Sequence, residues 1–526
     1  MQTYLVCIAA SVFLLLTGNA EFIHQILSVY PLHENIGFLL ALFALNLSIL
    51  ILAFSLLSIL LPVRPLLASV FIFSAITAYF SDHYATIISV DMIRNTLETN
   101  VAETRDLFSW NLLSRLIFLG VVPAVVVMYI PLQRKTWSRQ FVQLGWTAVC
   151  SLIVIFGSIL SHGSQFASFF REHKTIRFYS NPTFPIYSTV RFIIDHLAAH
   201  DTKTFVHLNA HAARMEDHEH YELIVVVVGE TARADHFSLN GYDRDTNPFT
   251  EKKQGIISYS NIDACGTSTA ISVPCMFSLL TRKTFDIDRG RSMENVLDIL
   301  QEAGVNVLWR DNNSDSKGVA TRVKFEDFRN PDVNTVCDEE CRDVSMLVGL
   351  QDFVNRQTDD ILIVLHQMGS HGPTYYKRYP KEFEYFSPSC HSSELSNCST
   401  EQIVNAYDNS IRYTDYFLSK VIEFLENNTP KYETAMLYIS DHGESLGEGG
   451  VYLHGMPYIL APKAQTKVPV ILWAGDSSDI DLKETLSYKN INNSHDAVFD
   501  TLMNLFEISS QLPDRQGSKL VAIKGK

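Results

Sequence analysis

A helical membrane domain followed by an α/β domain with a mostly parallel central sheet is the architecture this sequence predicts, on three observations. Apolar residues, 47% of the 526, crowd toward the N-terminus. Five charge-poor stretches in that part have the length of a bilayer crossing. From Tyr221 onward, short continuous apolar runs alternate with helical stretches, the pattern of a sheet buried on both faces. The length exceeds one ordinary domain. The expected division is 1–162 for the membrane domain, 163–216 for a connecting region and 217–526 for the α/β domain.

The five stretches run Thr3–Ala20, Gly37–Leu61, Leu66–Ser81, Leu116–Gln133 and Gly145–His162. Arg64 follows the second, and Arg134, Lys135 and Arg139 follow the fourth, with no acid in either linker. Basic linkers stay in the cytoplasm. The opposite loops carry Glu21, Glu34, Asp82, Asp91, Glu98, Glu103 and Asp106, against Arg94, Arg105 and Arg115. Five spans starting from the inside place everything after His162 outside. A cleaved signal peptide ending near Gly18-Asn19-Ala20 is the alternative for the first stretch, but no Lys or Arg precedes its apolar run.

The eight cysteines support that orientation. Cys7 and Cys150 fall inside spans, and the rest form three close pairs: Cys265/Cys275, Cys337/Cys341 and Cys390/Cys398. An even set confined to the external part reads as a disulfide framework in an oxidising compartment. None of the pairs has the C-x-x-C spacing of a thiolate zinc site. In the connecting region, Phe166, Phe169, Phe170, Phe178, Tyr179 and Tyr187 suit either the lipid–water boundary or packing against neighbouring protein.

The formal net charge of −15 excludes a nucleic-acid partner, which would require a basic surface. An anionic lipid substrate would need a local cluster of cations. Leu223–Val228, Val305–Trp309, Ile361–Leu365, Met436–Ile439 and Val468–Trp473 read as strands. Ligands of open α/β sheets gather beyond the carboxyl ends of the strands, so the polar residues just after these runs are the place for chemistry. Glu230 follows the first run, and Asp441 and His442 follow the fourth. A carboxylate from one strand and an Asp-His pair from another offer oxygen and nitrogen ligands to Zn²⁺. Cys265-Gly266-Thr267-Ser268-Thr269-Ala270 is a small-residue turn leading into a helical stretch, which places a hydroxyl where a helix N-terminus favours an anion. Spacing does not choose among Thr267, Ser268 and Thr269, each of which is also a fit N-cap.

Gly229-Glu230-Thr231-Ala232-Arg233, Asn240-Gly241-Tyr242, Cys265-Gly266-Thr267-Ser268-Thr269, Ser370-His371-Gly372-Pro373 and Ser440-Asp441-His442-Gly443-Glu444 together resemble the lipid A phosphoethanolamine transferases, the family that includes the mobile colistin-resistance enzymes. The likeness covers essentially the whole chain and implies a soluble domain of the alkaline phosphatase/sulfatase superfamily. It implies Glu230, Thr269, Asp441 and His442 as zinc ligands, with Thr269 the residue that becomes phosphorylated. It also implies Lys317, His371 and His454 as catalytic and substrate-binding groups, with Asn313 nearby. Asn95, Thr99 and Glu103, at i, i+4 and i+8, would share one helical face that binds the ethanolamine head group.

The resemblance further implies one Zn²⁺, a second being an open alternative, and a monomer in a bacterial inner membrane with its catalytic domain in the periplasm. Phosphatidylethanolamine is the implied donor and a lipid A phosphate the acceptor. The added ammonium makes the envelope less anionic and favours resistance to polymyxins. Glycerol-phosphate transferases of the lipoteichoic acid synthase type share the span count, but the cysteine pairs suit a periplasmic enzyme better. A sulfatase is disfavoured because the nucleophile segment lacks Cys-x-Pro-x-Arg. Retention of every candidate ligand argues against a non-catalytic lipid-binding protein.

Overall fold

The computed structural model describes residues 1–99, 101–133, 136–200, 204–208, 210–215, 220–512 and 519–524. Arg134 and Lys135 of the basic linker, and Glu216 at the expected domain boundary, lie outside the described residues. The chain forms two compact units, one of Met1–Ile93 with Phe108–Asp195 and one of Arg94–Leu107 with His196–Lys526.

In the first unit, four helices among the described residues are long and apolar enough to cross a membrane: Leu32–Leu60, Val63–Tyr84, Trp110–Tyr129 and Trp137–Ser161. The expected first span is instead two helices, Thr3–Thr17 and Ala20–Val29, bent by 65°. Among the described residues, the helices able to cross a membrane by length and composition therefore number four, or five if the bent pair counts as one. The bend falls at Gly18-Asn19, where the Asn19 side chain donates to the carbonyl of Leu14 at 3.2 Å and to that of Asn181 at 2.8 Å. That use of local carbonyls competes with helix continuation. Leu40, Ile153 and Leu160 are exposed, as a lipid-facing surface requires. Phe166 is buried against Phe38 of the first long helix, with ring centroids 5.1 Å apart, so this aromatic of the connecting region serves packing.

The second unit is built on an eight-stranded sheet: β1 Tyr221–Gly229, β2 Ile256–Asp263, β3 Asn306–Asp311, β4 Lys324–Asp327, β5 Ile361–His366, β6 Tyr432–Ser440, β7 Lys467–Ala474 and β8 Asn493–Ser494. Their spatial order is β8-β2-β7-β6-β1-β5-β3-β4. Along β1, Ile224, Val226 and Val228 enter one buried core and Leu223, Val225 and Val227 the other. Both faces being covered, the strand needs an unbroken apolar run.

One strand makes the sheet mixed: β7 runs antiparallel to both β2 and β6, while the other neighbouring pairs are parallel. The cause lies in the 441–466 connection, which stays at the carboxyl end of β6 and folds there into a small hairpin, Ser445-Leu446 against Tyr452-Leu453. No long crossover helix carries the chain to the other end, so β7 enters from the end where β6 finished. Two helices matter for the site: α1, Thr269–Met276, and α2, Thr400–Glu426.

Candidate active site

Glu230 and Asp441 reach the same place because β1 and β6 are parallel neighbours in a register that pairs Gly229 with Ser440. The next residue on each strand therefore leaves the sheet at matching height. Glu230, Asp441 and His442 are fully buried, and one ligand atom from each lies within 4.8 Å of the other two. His442 Nε2 stands 3.4 Å from Glu230 Oε1 and 3.3 Å from Asp441 Oδ2. Those three atoms have no hydrogen-bond partner.

The remaining polar atoms of the trio are committed elsewhere. Asp441 Oδ1 accepts from the backbone N–H of Thr231 at 3.1 Å and of His442 at 2.7 Å. Glu230 Oε2 accepts from Asn313 at 2.7 Å. His442 Nδ1 donates to the Gly443 carbonyl at 3.0 Å, which leaves the Nε2 lone pair facing the carboxylates. Burial and the Asp441 charge push the Glu230 carboxyl well above its usual range, while burial lowers the His442 imidazole. Two carboxylate oxygens and a neutral imidazole nitrogen, buried and unpartnered, fit a divalent cation of the zinc type, whose charge would reverse the strain of crowding two acids. Gly369, with φ 53, passes so close that a Cβ there would lie 2.9 Å from the Glu230 carbonyl oxygen. A second carboxylate group, Glu222, Glu433 and Asp479, includes residues at the opposite ends of β1 and β6.

Thr269 opens α1, and its Oγ1 donates to Glu230 Oε2 at 3.2 Å. Its neighbours point elsewhere. Thr267 Oγ1 donates to the Met456 carbonyl at 2.6 Å, and the buried Ser268 hydroxyl has no partner. Ser268 holds the N-cap position without a side-chain capping bond, so the expectation that these two hydroxyls act as caps is corrected. Cys265 and Cys275 form a disulfide across this turn, as do Cys337 with Cys341 and Cys390 with Cys398, while Cys7 and Cys150 are free.

Around this centre lie the other expected residues. The buried Lys317 Nζ donates to the carbonyls of Ser314 at 3.0 Å and Glu98 at 3.4 Å. His454 Nδ1 bonds Glu444 Oε2 at 2.8 Å, and its ring lies 4.4 Å from that of His442 and 5.3 Å from that of His371. Burial opposes the charged form of His454, yet the Glu444 carboxylate prevails and raises its pKa; burial, with His454 nearby, holds His371 well below the ordinary range. Glu103 is buried; desolvation raises its carboxyl against the pull of Lys317, His454 and Arg378.

Asn95 and Thr99 are placed differently. Helix Val90–Glu98 stops before Thr99, and Val101–Asp106 is a separate helix, so the single face expected for Asn95, Thr99 and Glu103 does not form. The Thr99 hydroxyl is spent on the Asn95 carbonyl at 2.7 Å, a local bond that suits a helix end.

Sequence reasoning missed the groups that hold these residues in place. Asp106 binds Lys377 Nζ at 2.7 Å and Arg378 Nη2 at 2.6 Å, and Glu98 forms a two-pronged pair with Arg291 at 2.7 and 2.8 Å. These ion pairs fix the 94–107 segment, and hence Glu103, on the second unit. The buried His495 accepts from the Cys265 N–H through Nδ1 at 3.1 Å and donates through Nε2 to the Ser440 carbonyl at 2.9 Å, joining the nucleophile turn to the strand that carries Asp441.

Comparison with known proteins agrees with this architecture. A sulfatase family profile matches residues 222–508, and a profile of phosphoethanolamine transferase EptA/EptB matches residues 46–197. The chain is 42% identical to phosphatidylethanolamine transferase Mcr-2 of Escherichia coli over 511 residues, 95% of this chain and 94% of that one. It is 35% identical to phosphoethanolamine transferase EptA of E. coli strain K12 over 94% of this chain and 92% of that one. Integral membrane lipooligosaccharide phosphoethanolamine transferase A from Neisseria meningitidis superposes with a TM-score of 0.92 at 31% identity, covering 97% of this chain and 96% of that structure. The chain belongs to the phosphoethanolamine transferase family, with apolar helices toward its N-terminus and a sulfatase-like α/β domain after them.

Proposed function

We propose that this enzyme takes phosphoethanolamine from phosphatidylethanolamine onto Thr269 and passes it to a phosphate of lipid A at the periplasmic face of the inner membrane. The observation that carries this reading is the Thr269 hydroxyl aimed at Glu230, beside three buried, unpartnered ligand atoms. Glu230, Asp441, His442 and Thr269 would hold zinc, which when bound lowers the pKa of a hydroxyl and neutralises charge on a phosphoryl group.

In the first half-reaction Thr269 Oγ1 attacks phosphorus, the bond to the diacylglycerol oxygen breaks, and the threonine proton ends on that oxygen. His454, its Nδ1 engaged by Glu444, presents its other ring nitrogen for proton transfer. In the second, an oxygen of the protonated acceptor phosphate attacks the same phosphorus, the bond from phosphorus to Thr269 Oγ1 breaks, and Oγ1 takes up the proton that the acceptor phosphate loses. Lys317 offsets the charge of the two phosphates, and the uncharged His371 imidazole donates a hydrogen bond to a phosphoryl oxygen. Glu103 pairs with the ethanolamine ammonium.

The product carries a new ammonium group on the outer envelope, which lowers attraction for cationic peptides such as polymyxins. Mass spectrometry of lipid A from cells with and without the chain tests the reading. One added phosphoethanolamine unit, absent with Thr269→Ala, is expected; unmodified lipid A in both would overturn it.

A further inference from the structure

A polar cavity of about 450 Å³ adjoins the site, with Glu103 and Asn313 among its lining residues. Asn313 is the residue that donates to Glu230, so a single side chain links the cavity to the metal-ligand group. Its volume is that of a small-molecule site. Of the lining residues only Met368 has a large apolar side chain, so the walls do not suit acyl chains; Asn330 and Asn312 offer amides, and charges of both signs alternate around them.

The cations of this cavity are not equivalent. Lys377 and Arg378 are held by Asp106, and Arg329 forks onto Asp327 at 2.6 and 2.8 Å. Arg105 also lines the cavity, is exposed, and makes no hydrogen bond or ion pair with any described residue. It stands two residues from Glu103, on the segment that Asp106 and Glu98 fix to this unit. A guanidinium left without a carboxylate in a chain of net charge −15 is a ready fork for a phosphate.

We propose that this cavity is the acceptor subsite, taking the phosphorylated sugar of the acceptor, with Arg105 reading an anionic group of that glycan while the reacting phosphate faces Thr269. The inference rests on the proposed two-step reaction and assigns its second substrate a place. Amides match sugar hydroxyls and the guanidinium matches a further phosphate or carboxylate, whereas the donor has a small head group on two acyl chains that these polar walls do not accommodate.

The two half-reactions separate the possibilities. Full-length protein in phosphatidylethanolamine mixed micelles is followed for the phosphoethanolamine adduct on Thr269 without acceptor, and for transfer after adding purified lipid A. Arg105→Glu should form the adduct at the wild-type rate and lose transfer by about tenfold or more, chiefly through the acceptor KM, as expected when one charge-assisted contact is lost. Arg105→Lys should recover part of the transfer, and Asn330→Asp should show the same split between half-reactions. Undiminished transfer by Arg105→Glu would overturn the proposal, as would adduct formation falling in parallel, which would assign Arg105 to the donor. Absence of any adduct in the wild type would overturn the two-step reading itself, and the acceptor subsite with it.

Discussion

Arg378 Nη2 lies 2.6 Å from Asp106 Oδ2 while its Nε donates to the His371 carbonyl at 2.6 Å, so one buried guanidinium joins the 94–107 segment to the loop that carries a candidate catalytic histidine. Burial lowers the pKa of the Arg378 guanidinium, but Glu340 and Asp106 outweigh it and raise the pKa above the ordinary value. Asp106→Ala removes one partner of a buried charge, which typically costs about 3–5 kcal/mol. Denaturant unfolding of the full-length variant should show a loss of that order, together with lowered transfer through displacement of Glu103. A change below about 0.5 kcal/mol, the level of an exposed pair, would show that the contact holds nothing.

His495 predicts an acid sensitivity. Burial pushes its imidazole down to about 4, whereas an unfolded histidine titrates near about 6.5. On acidification the unfolded chain therefore binds this proton first, and stability falls as the pH drops from 6.5 toward 4. His495→Gln should be less stable at pH 7 yet lose less on going to pH 5. Unfolding curves followed by the fluorescence of the buried Trp309 and Trp473 measure both. Equal slopes in the two proteins would remove His495 as the cause.

Metal content separates the ligand residues from their support. Glu230→Ala, Asp441→Ala and His442→Ala each delete one of three converging donors and should yield protein without stoichiometric zinc. Asn313→Ala leaves the donors but frees Glu230 Oε2, and supporting contacts of that kind typically carry about 10- to 100-fold in metal affinity. Elemental analysis after dialysis against a graded chelator ranks them. Full zinc retention by Glu230→Ala would remove Glu230 from the centre.

Much of this arrangement is legible in the sequence because two properties are local. An apolar run marks a buried strand, and a charged residue directly after it marks the sheet edge, which is how Glu230, Asp441 and His442 stand out. β2 escapes that signal, since Ser258, Ser260, Asn261 and Asp263 interrupt its apolar residues. The reversal of β7 is equally silent, because an apolar run reads the same in both directions. Thr269 is not separable from Thr267 and Ser268 until folding shows which hydroxyl meets Glu230. Asp106 and Arg378 are 272 residues apart, and nothing local in either announces the other.

The central claim is that Thr269 carries the phosphoethanolamine between donor and acceptor. The most direct measurement is peptide mass spectrometry of the full-length protein after incubation with phosphatidylethanolamine and no acceptor. The account predicts a phosphoethanolamine adduct on Thr269 that disappears when lipid A is added and is absent from Thr269→Ala, which should also have lost transfer. An adduct on Thr267 or Ser268, or transfer persisting in Thr269→Ala, would contradict it.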